Sequence, residues 1–199
     1  KRLVSDNKGG AGEYPSAWIY LIVKLFDPNL IIESGVWKGH TSWLLRQASP
    51  GTEIHSFDIS LGMLECKLED VSYYEHDWMS NNVINNLAID DRSLVFFDDH
   101  VNQCQRIKEA YDMGFKYALF DDNLPVIDNT YNDGRPACPT LQLIYSDHKY
   151  GDQIAYERKG QRFIYKYLEK DVHHAKKYID NYYVIPDTYT CLTLVELAK

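Results

Sequence analysis

The stretch IIESGVWKGHT at residues 31–41, followed by a strand-like run IHSF that closes on Asp58, constrains this chain more than any other part of it. An apolar run leads into Glu33, glycines stand four residues apart at Gly35 and Gly39, and Thr41 precedes the helix-like segment WLLRQA. That order predicts a strand, a tight turn and a helix N-terminus. Glycine lets a backbone pass close to a ligand with no Cβ in the way. The helix start presents free N–H groups. An acid at the tip of the following strand can accept hydrogen bonds from ribose hydroxyls. Together these features describe a nucleoside pocket at the carboxyl edge of a parallel sheet.

The rest of the chain continues the alternation. Residues 14–26 read as a helix with Pro15 near its first turn, ended by Asp27-Pro28-Asn29. Strands are predicted at LIIES, EIHSFDIS, residues 71–75, SLVFFDD and KYALFDD, with helices at TSWLLRQA, residues 61–70 and NQCQRIKEAYDMGF. Residues 78–90 read as helix or loop. Residues 1–12 are polar and glycine-rich and are expected to be loose. Residues 124–160 break the rhythm, being rich in Asn, Asp, Pro and Gly, and read as a loop with a short helix. Residues 161–178 read as a helix, and the segments NYYVIP and CLTLVELAK as a closing pair of strands. Alternating strands and helices imply right-handed βαβ units and a mostly parallel sheet, with an antiparallel edge strand at the end. A single domain over residues 1–199 is expected, since 199 residues suffice for one well-buried core.

Charge and composition exclude some partners. The net charge is −8 and no basic cluster stands out beyond Lys176-Lys177, so nucleic acid is not expected. No apolar run approaches the ~20 residues of a membrane span, and residues 1–15 lack the apolar core of a secretory signal. The four cysteines are widely spaced and form no C-x-x-C pair, which argues against a disulfide scaffold or a zinc site and for a reducing, cytoplasmic setting.

The spacing Glu33-x-Gly35-x-x-x-Gly39-x-Thr41 differs from the dinucleotide fingerprint G-x-G-x-x-G. It resembles motif I of class I S-adenosylmethionine (SAM)-dependent methyltransferases, in the form found in the catechol O-methyltransferase-like and cephalosporin-hydroxylase/rhamnosyl-O-methyltransferase-like groups. The resemblance covers roughly residues 14–125 and, more weakly, the closing strands. It implies a Rossmann-like, doubly wound, three-layer α/β/α fold. It also implies a glycine turn under the methionine part of SAM and a ribose-binding role for Asp58. Asp77, after the third strand, is the match for the acid that receives the adenine amino group, with Trp78 as a stacking neighbour. The bland alternative for Asp77 is a helix cap.

Two acidic clusters end the fourth and fifth predicted strands, Asp98-Asp99-His100 and Asp121-Asp122-Asn123. In a parallel sheet both tips lie on the ligand edge. Carboxylates packed this closely repel one another unless a cation or proton sits among them, and hard oxygen ligands favour Mg²⁺, Ca²⁺ or Mn²⁺. The resemblance offers two registers. One takes Asp98, Asp122 and Asn123 as ligands, with Asp98 also beside the cofactor, and the other takes Asp99, Asp121 and Asp122. The catechol-type lysine base is missing, Val101 or Asn102 standing in its place, and His100 is the substitute base. Asp128, Asn129, Asp133, Arg135 and His148 fall in the stretch where this fold often carries its substrate lid.

The expected function is O-methylation of a small hydroxylated substrate (a sugar, catechol-like compound or natural product) with SAM as cofactor and a divalent metal as an option. A homodimer stays open. The rival readings are a non-catalytic Rossmann-like binding or assembly protein and a metal-dependent hydroxylase or hydrolase on the same scaffold.

Overall fold

The computed structural model describes residues 4, 6–7, 10–80, 82–123, 140–145, 147, 149, 151–158, 161–166, 173–185 and 191–198. In chain order the elements are α1 (Glu13–Phe26), β1 (Leu30–Ser34), α2 (His40–Ala48), β2 (Glu53–Asp58), β3 (Ser72–Glu75), β4 (Ser93–Phe97), α3 (Gln103–Asp112), β5 (Tyr117–Phe120), β6 (Gln153–Arg158), β7 (Gln161–Lys166), β8 (Ile179–Val184) and β9 (Thr193–Leu197).

The main sheet runs β3-β2-β1-β4-β5-β9-β8. Strands β1 to β5 pair in parallel, and β9 runs antiparallel to both β5 and β8. The expected antiparallel edge is therefore two strands wide. The order reverses between β1 and β4, which opens a crevice at their carboxyl ends. The strands LIIES and SLVFF are buried throughout because both of their faces are covered. Ile31, Ile54, Leu94, Phe96 and Leu119 pack on the side of Ile19, Val23 and Leu45, from α1 and α2. Ile32, Val95, Phe97, Ala118 and Phe120 pack on the other side with Ile107 and Ala110 of α3. Each buried Val, Leu, Ile or Phe among them contributes about 1.5–3 kcal/mol of transfer free energy.

Local signals set the helix ends. Pro15 occupies the first turn of α1, and Asp27 ends it in the left-handed region at φ 51°. The Asn102 side chain caps α3 by accepting from Cys104 N and Gln105 N. Among the described residues no helix is long and apolar enough to cross a membrane.

Four sequence expectations change. Residues 61–70 form turns and extended chain instead of a helix. Glu65 N and Cys66 N donate to the Lys38 carbonyl, so the segment is laid along the glycine turn and its amides are spent there. Residues 161–178 do not form one helix. β7 pairs antiparallel with β6, and a short 3-10 segment follows at His173–Tyr178. The two strand sequences QIAYER and QRFIYK set apolar or aromatic residues at alternate positions, Ile154 and Tyr156 against Phe163 and Tyr165, and that period of two prevails over the helical reading. β6 likewise replaces loop at the end of 124–160. The segment expected to be loose is tied down where it is described: Val4 and Ala11 are buried, and Lys38 Nζ donates to the Asp6 carbonyl. Asp128, Asn129, Asp133, Arg135, His148 and much of the expected lid lie outside the described residues.

Candidate active site

The loops after β1, β2, β3 and β4 enclose a cavity of about 350 Å³ at the switch point, within the range of small-molecule sites. Backbone bonds lace its floor. Gly35 N donates to the Phe57 carbonyl and Asp98 N to the Ser34 carbonyl, each at 2.8 Å. Gly35 has φ 97°, and a Cβ there would collide with the Asp98 carbonyl, so this glycine is dictated by the tip of β4. Gly39, at φ 84°, abuts the Cys66 carbonyl in the same way and lies away from the cavity.

Asp58 lines the cavity and braces the turn. Its Oδ2 accepts from Val36 N at 2.8 Å and Trp37 N at 3.0 Å, and its Oδ1 from Ser60 N at 2.9 Å. Glu33 and Thr41 are buried outside the cavity wall. The Glu33 side chain turns away from the ligand edge and accepts from Ser42 of α2 at 2.6 Å and Ser56 of β2 at 2.5 Å. Burial pushes its pKa up to about 7, against the pull of the two serines.

Asp77 lines the cavity, with Oδ1 accepting from Met79 N. Trp78 does not. It is fully buried, edge-on to Phe97 with ring centroids 5.3 Å apart, and its Nε1 donates to Glu109. An apolar ring of this size satisfies the core first. Aromatic groups on the cavity wall include Trp37, His76 and Phe57, the last two with ring centroids 5.6 Å apart. His76 sits two residues beyond Tyr74, on the same side of the extended chain, so strand alternation was the signal for it.

At the tips of β4 and β5, ligand atoms of Asp98, His100 and Asp122 lie within 4.8 Å of one another. His100 Nε2 is 2.8 Å from Asp122 Oδ2. Both residues have left-handed backbones, φ 55° and 52°. Burial, then the charges of Asp121, Asp122, Asp99 and Glu33, raise the Asp98 pKa well above the usual carboxylate range. Asp121 is buried beside the group and adds to that field without joining it. Asp99 is drawn the other way, accepting from Ser34 Oγ at 2.6 Å and Arg106 Nε at 2.9 Å. Asn123 is fully buried, donating to Tyr182 and Thr193 and accepting from Gln142 N. Asp99 is outside the converging group, and the Asn123 side chain is engaged by Tyr182, Thr193 and Gln142 N. The Asp122 hydrogen bond raises the His100 pKa against the opposing effect of burial.

The residue that sequence reasoning missed is Arg106. It is 1% exposed and lines the cavity, yet its guanidinium binds Asp77, Asp99 and Glu109. The signal was its place on the buried stripe of α3, Gln103-Arg106-Ile107-Ala110, at spacings 3, 4 and 7.

No protein-family model matches the chain, and no curated protein matches it significantly. Solved structures do. The chain is similar to the methyltransferase PaMTH1 of Podospora anserina bound to S-adenosylhomocysteine (SAH), at TM-score 0.59 and 14% identity over 98% of this chain and 83% of that one. It is similar to the O-methyltransferase from Bacillus cereus in complex with SAH, at TM-score 0.55 and 16% identity over 99% and 84%. It spans about half the length, 53%, of cmcI-D160 with Mg-SAM, at TM-score 0.48 and 18% identity over 56% of this chain. At such identities the likeness establishes the fold, the Rossmann-like sheet of these methyltransferases.

Proposed function

We propose that this chain is a SAM-dependent O-methyltransferase for a small hydroxylated substrate, assisted by a divalent cation held by Asp98, His100 and Asp122. One observation carries the reading. A single cavity is lined both by the Asp58-braced turn and by Asp98 and His100 of the converging trio. Both groups suit these residues. Asp98 is a carboxyl under repulsion from its neighbours, which a cation would relieve. The nucleoside wall supplies an acid after β2, an acid after β3 and two rings.

When bound, SAM supplies an electrophilic methyl group on sulfur, and a divalent cation supplies Lewis acidity toward a hydroxyl. The chain's own residues do the rest. Asp58 accepts from ribose hydroxyls and Asp77 from the adenine amino group, while Phe57 and His76 flank the base. The acidic wall favours a cationic cofactor. In-line transfer then depends mainly on positioning.

Titration calorimetry of the folded protein with SAM and SAH, with and without Mg²⁺ or Mn²⁺, tests the proposal. Micromolar binding is expected, weakened at least about tenfold by Asp58→Ala through loss of a hydrogen bond to a charged group. Metal binding without SAM binding would favour a hydrolase or hydroxylase. Binding of neither would leave a non-catalytic protein.

A further inference from the structure

Arg106 forks among three carboxylates with almost no exposure to water. Its Nε and Nη2 meet Asp99 Oδ2 at 2.9 and 2.8 Å, its Nη1 meets Glu109 Oε2 at 2.6 Å, and its Nη2 also donates to Asp77 Oδ2. A buried guanidinium is tolerated only when its fork is filled in this way. Two of its three partners, Asp77 and Asp99, line the cavity with it. The arrangement is more than core filling, because it determines how Asp77 meets a ligand. With Oδ2 held by Arg106 and Oδ1 by Met79 N, the carboxylate cannot turn.

We propose that Arg106 is a positioning residue that sets the base specificity of the cavity: by clamping Asp77 as a fixed, acceptor-only carboxylate, it makes the site demand a 6-amino purine and reject the 6-oxo counterpart. The inference rests on the methyltransferase reading, which places the nucleoside base at Asp77. An exocyclic amino group donates to the clamped oxygens. A 6-oxo group brings a carbonyl against a carboxylate that can neither rotate nor protonate. Burial alone would push the Asp77 pKa up, but the hydrogen bonds from Arg106 and Met79 N bring it below the ordinary value. Sites that leave a buried polar group unpaired against the wrong ligand discriminate strongly. Lysine cannot substitute, since a point charge cannot hold three separated acceptors in one plane.

The test is calorimetric titration with SAH and with its deaminated analogue, S-inosylhomocysteine, on wild type, Arg106→Lys and Asp77→Asn, each checked for folding by thermal melting. Wild type should prefer SAH by about 10- to 100-fold, the worth of one hydrogen bond to a charged group. Arg106→Lys should shrink that ratio to within about threefold, and Asp77→Asn should abolish or reverse it. If Arg106→Lys weakens both ligands equally and leaves the ratio intact, Arg106 is merely structural and the proposal is overturned. If that variant does not fold, Asp77→Asn decides, and a retained preference overturns the proposal. Wild type that binds both ligands equally also overturns it while leaving the methyltransferase reading in place. Wild type that binds neither overturns both.

Discussion

Replacing Glu33 by glutamine should make the protein more stable, but only at neutral and alkaline pH. Glu33 has no solvent exposure. Oε2 accepts from Ser42 and Ser56, while Oε1 is buried with no hydrogen-bond partner among the described residues. Burial therefore raises its pKa from 4.5 to about 7, the serines pulling it back and Asp58 adding to the rise. A raised carboxyl pKa means that the folded chain keeps a proton that the unfolded chain releases. Stability from this group is then present below pH 4.5 and is lost as pH climbs through about 7. At about 1.36 kcal/mol per pH unit over that interval, the loss is about 3 kcal/mol. Glutamine has nearly the same shape and no charge to bury. Thermal unfolding of both proteins from pH 5 to 8.5 reads the effect. At pH 5 they should lie within about 1 kcal/mol, since most of the glutamate is protonated there. At pH 8.5 the variant should lead by about 2–3 kcal/mol, or roughly 5–10 °C for a chain of this size. Other titrating groups cancel in the difference. A difference that stays constant across the pH range would refute the reasoning, as would a variant that loses stability as pH rises.

Gly35→Ala should cost about 2–5 kcal/mol, combining the left-handed backbone with a collision against immobile backbone, whereas Gly51→Ala, whose Cβ would meet nothing within 4 Å, should be near neutral in the same melts. Millimolar Mg²⁺ or Mn²⁺ should raise the melting temperature, and Asp122→Ala should abolish the rise. Asn123→Ala should lower the melting temperature and keep the metal-dependent rise, because Asn123 ties β5 to β8 and β9. Melting curves indifferent to metal and to EDTA would remove the cation from the mechanism. Trp78→Ala should cost about 3–5 kcal/mol as a core cavity yet leave SAH affinity of the folded protein within about twofold, and a large loss of affinity would restore Trp78 to the pocket.

The sequence by itself determined the sheet and the shared edge where the cavity lies. Short segments rich in apolar residues closing on Glu33-Ser34, Asp58 and Asp98 read as strands, and the glycine turn and acidic tips marked their shared carboxyl edge. Those are local properties, readable from periodicity and from the backbone freedom of a few residues. Which acids converge beside the cavity was decided by the tertiary structure. Asp98 and Asp99 are neighbours of the same type, and only the third dimension brings Arg106 and Ser34 to one and Asp122 and His100 to the other. Asn123 reads as a ligand until β8 and β9 arrive to bond it, 59 and 70 residues later. Trp78 reads as a stacking ring until Phe97 and Phe115 enclose it. The helix expected at residues 61–70 gave way because the Lys38 carbonyl took its amides. Sequence reports what a residue can do, and the partner that claims its hydrogen bonds or its apolar surface comes from elsewhere in the chain, where no local pattern records it.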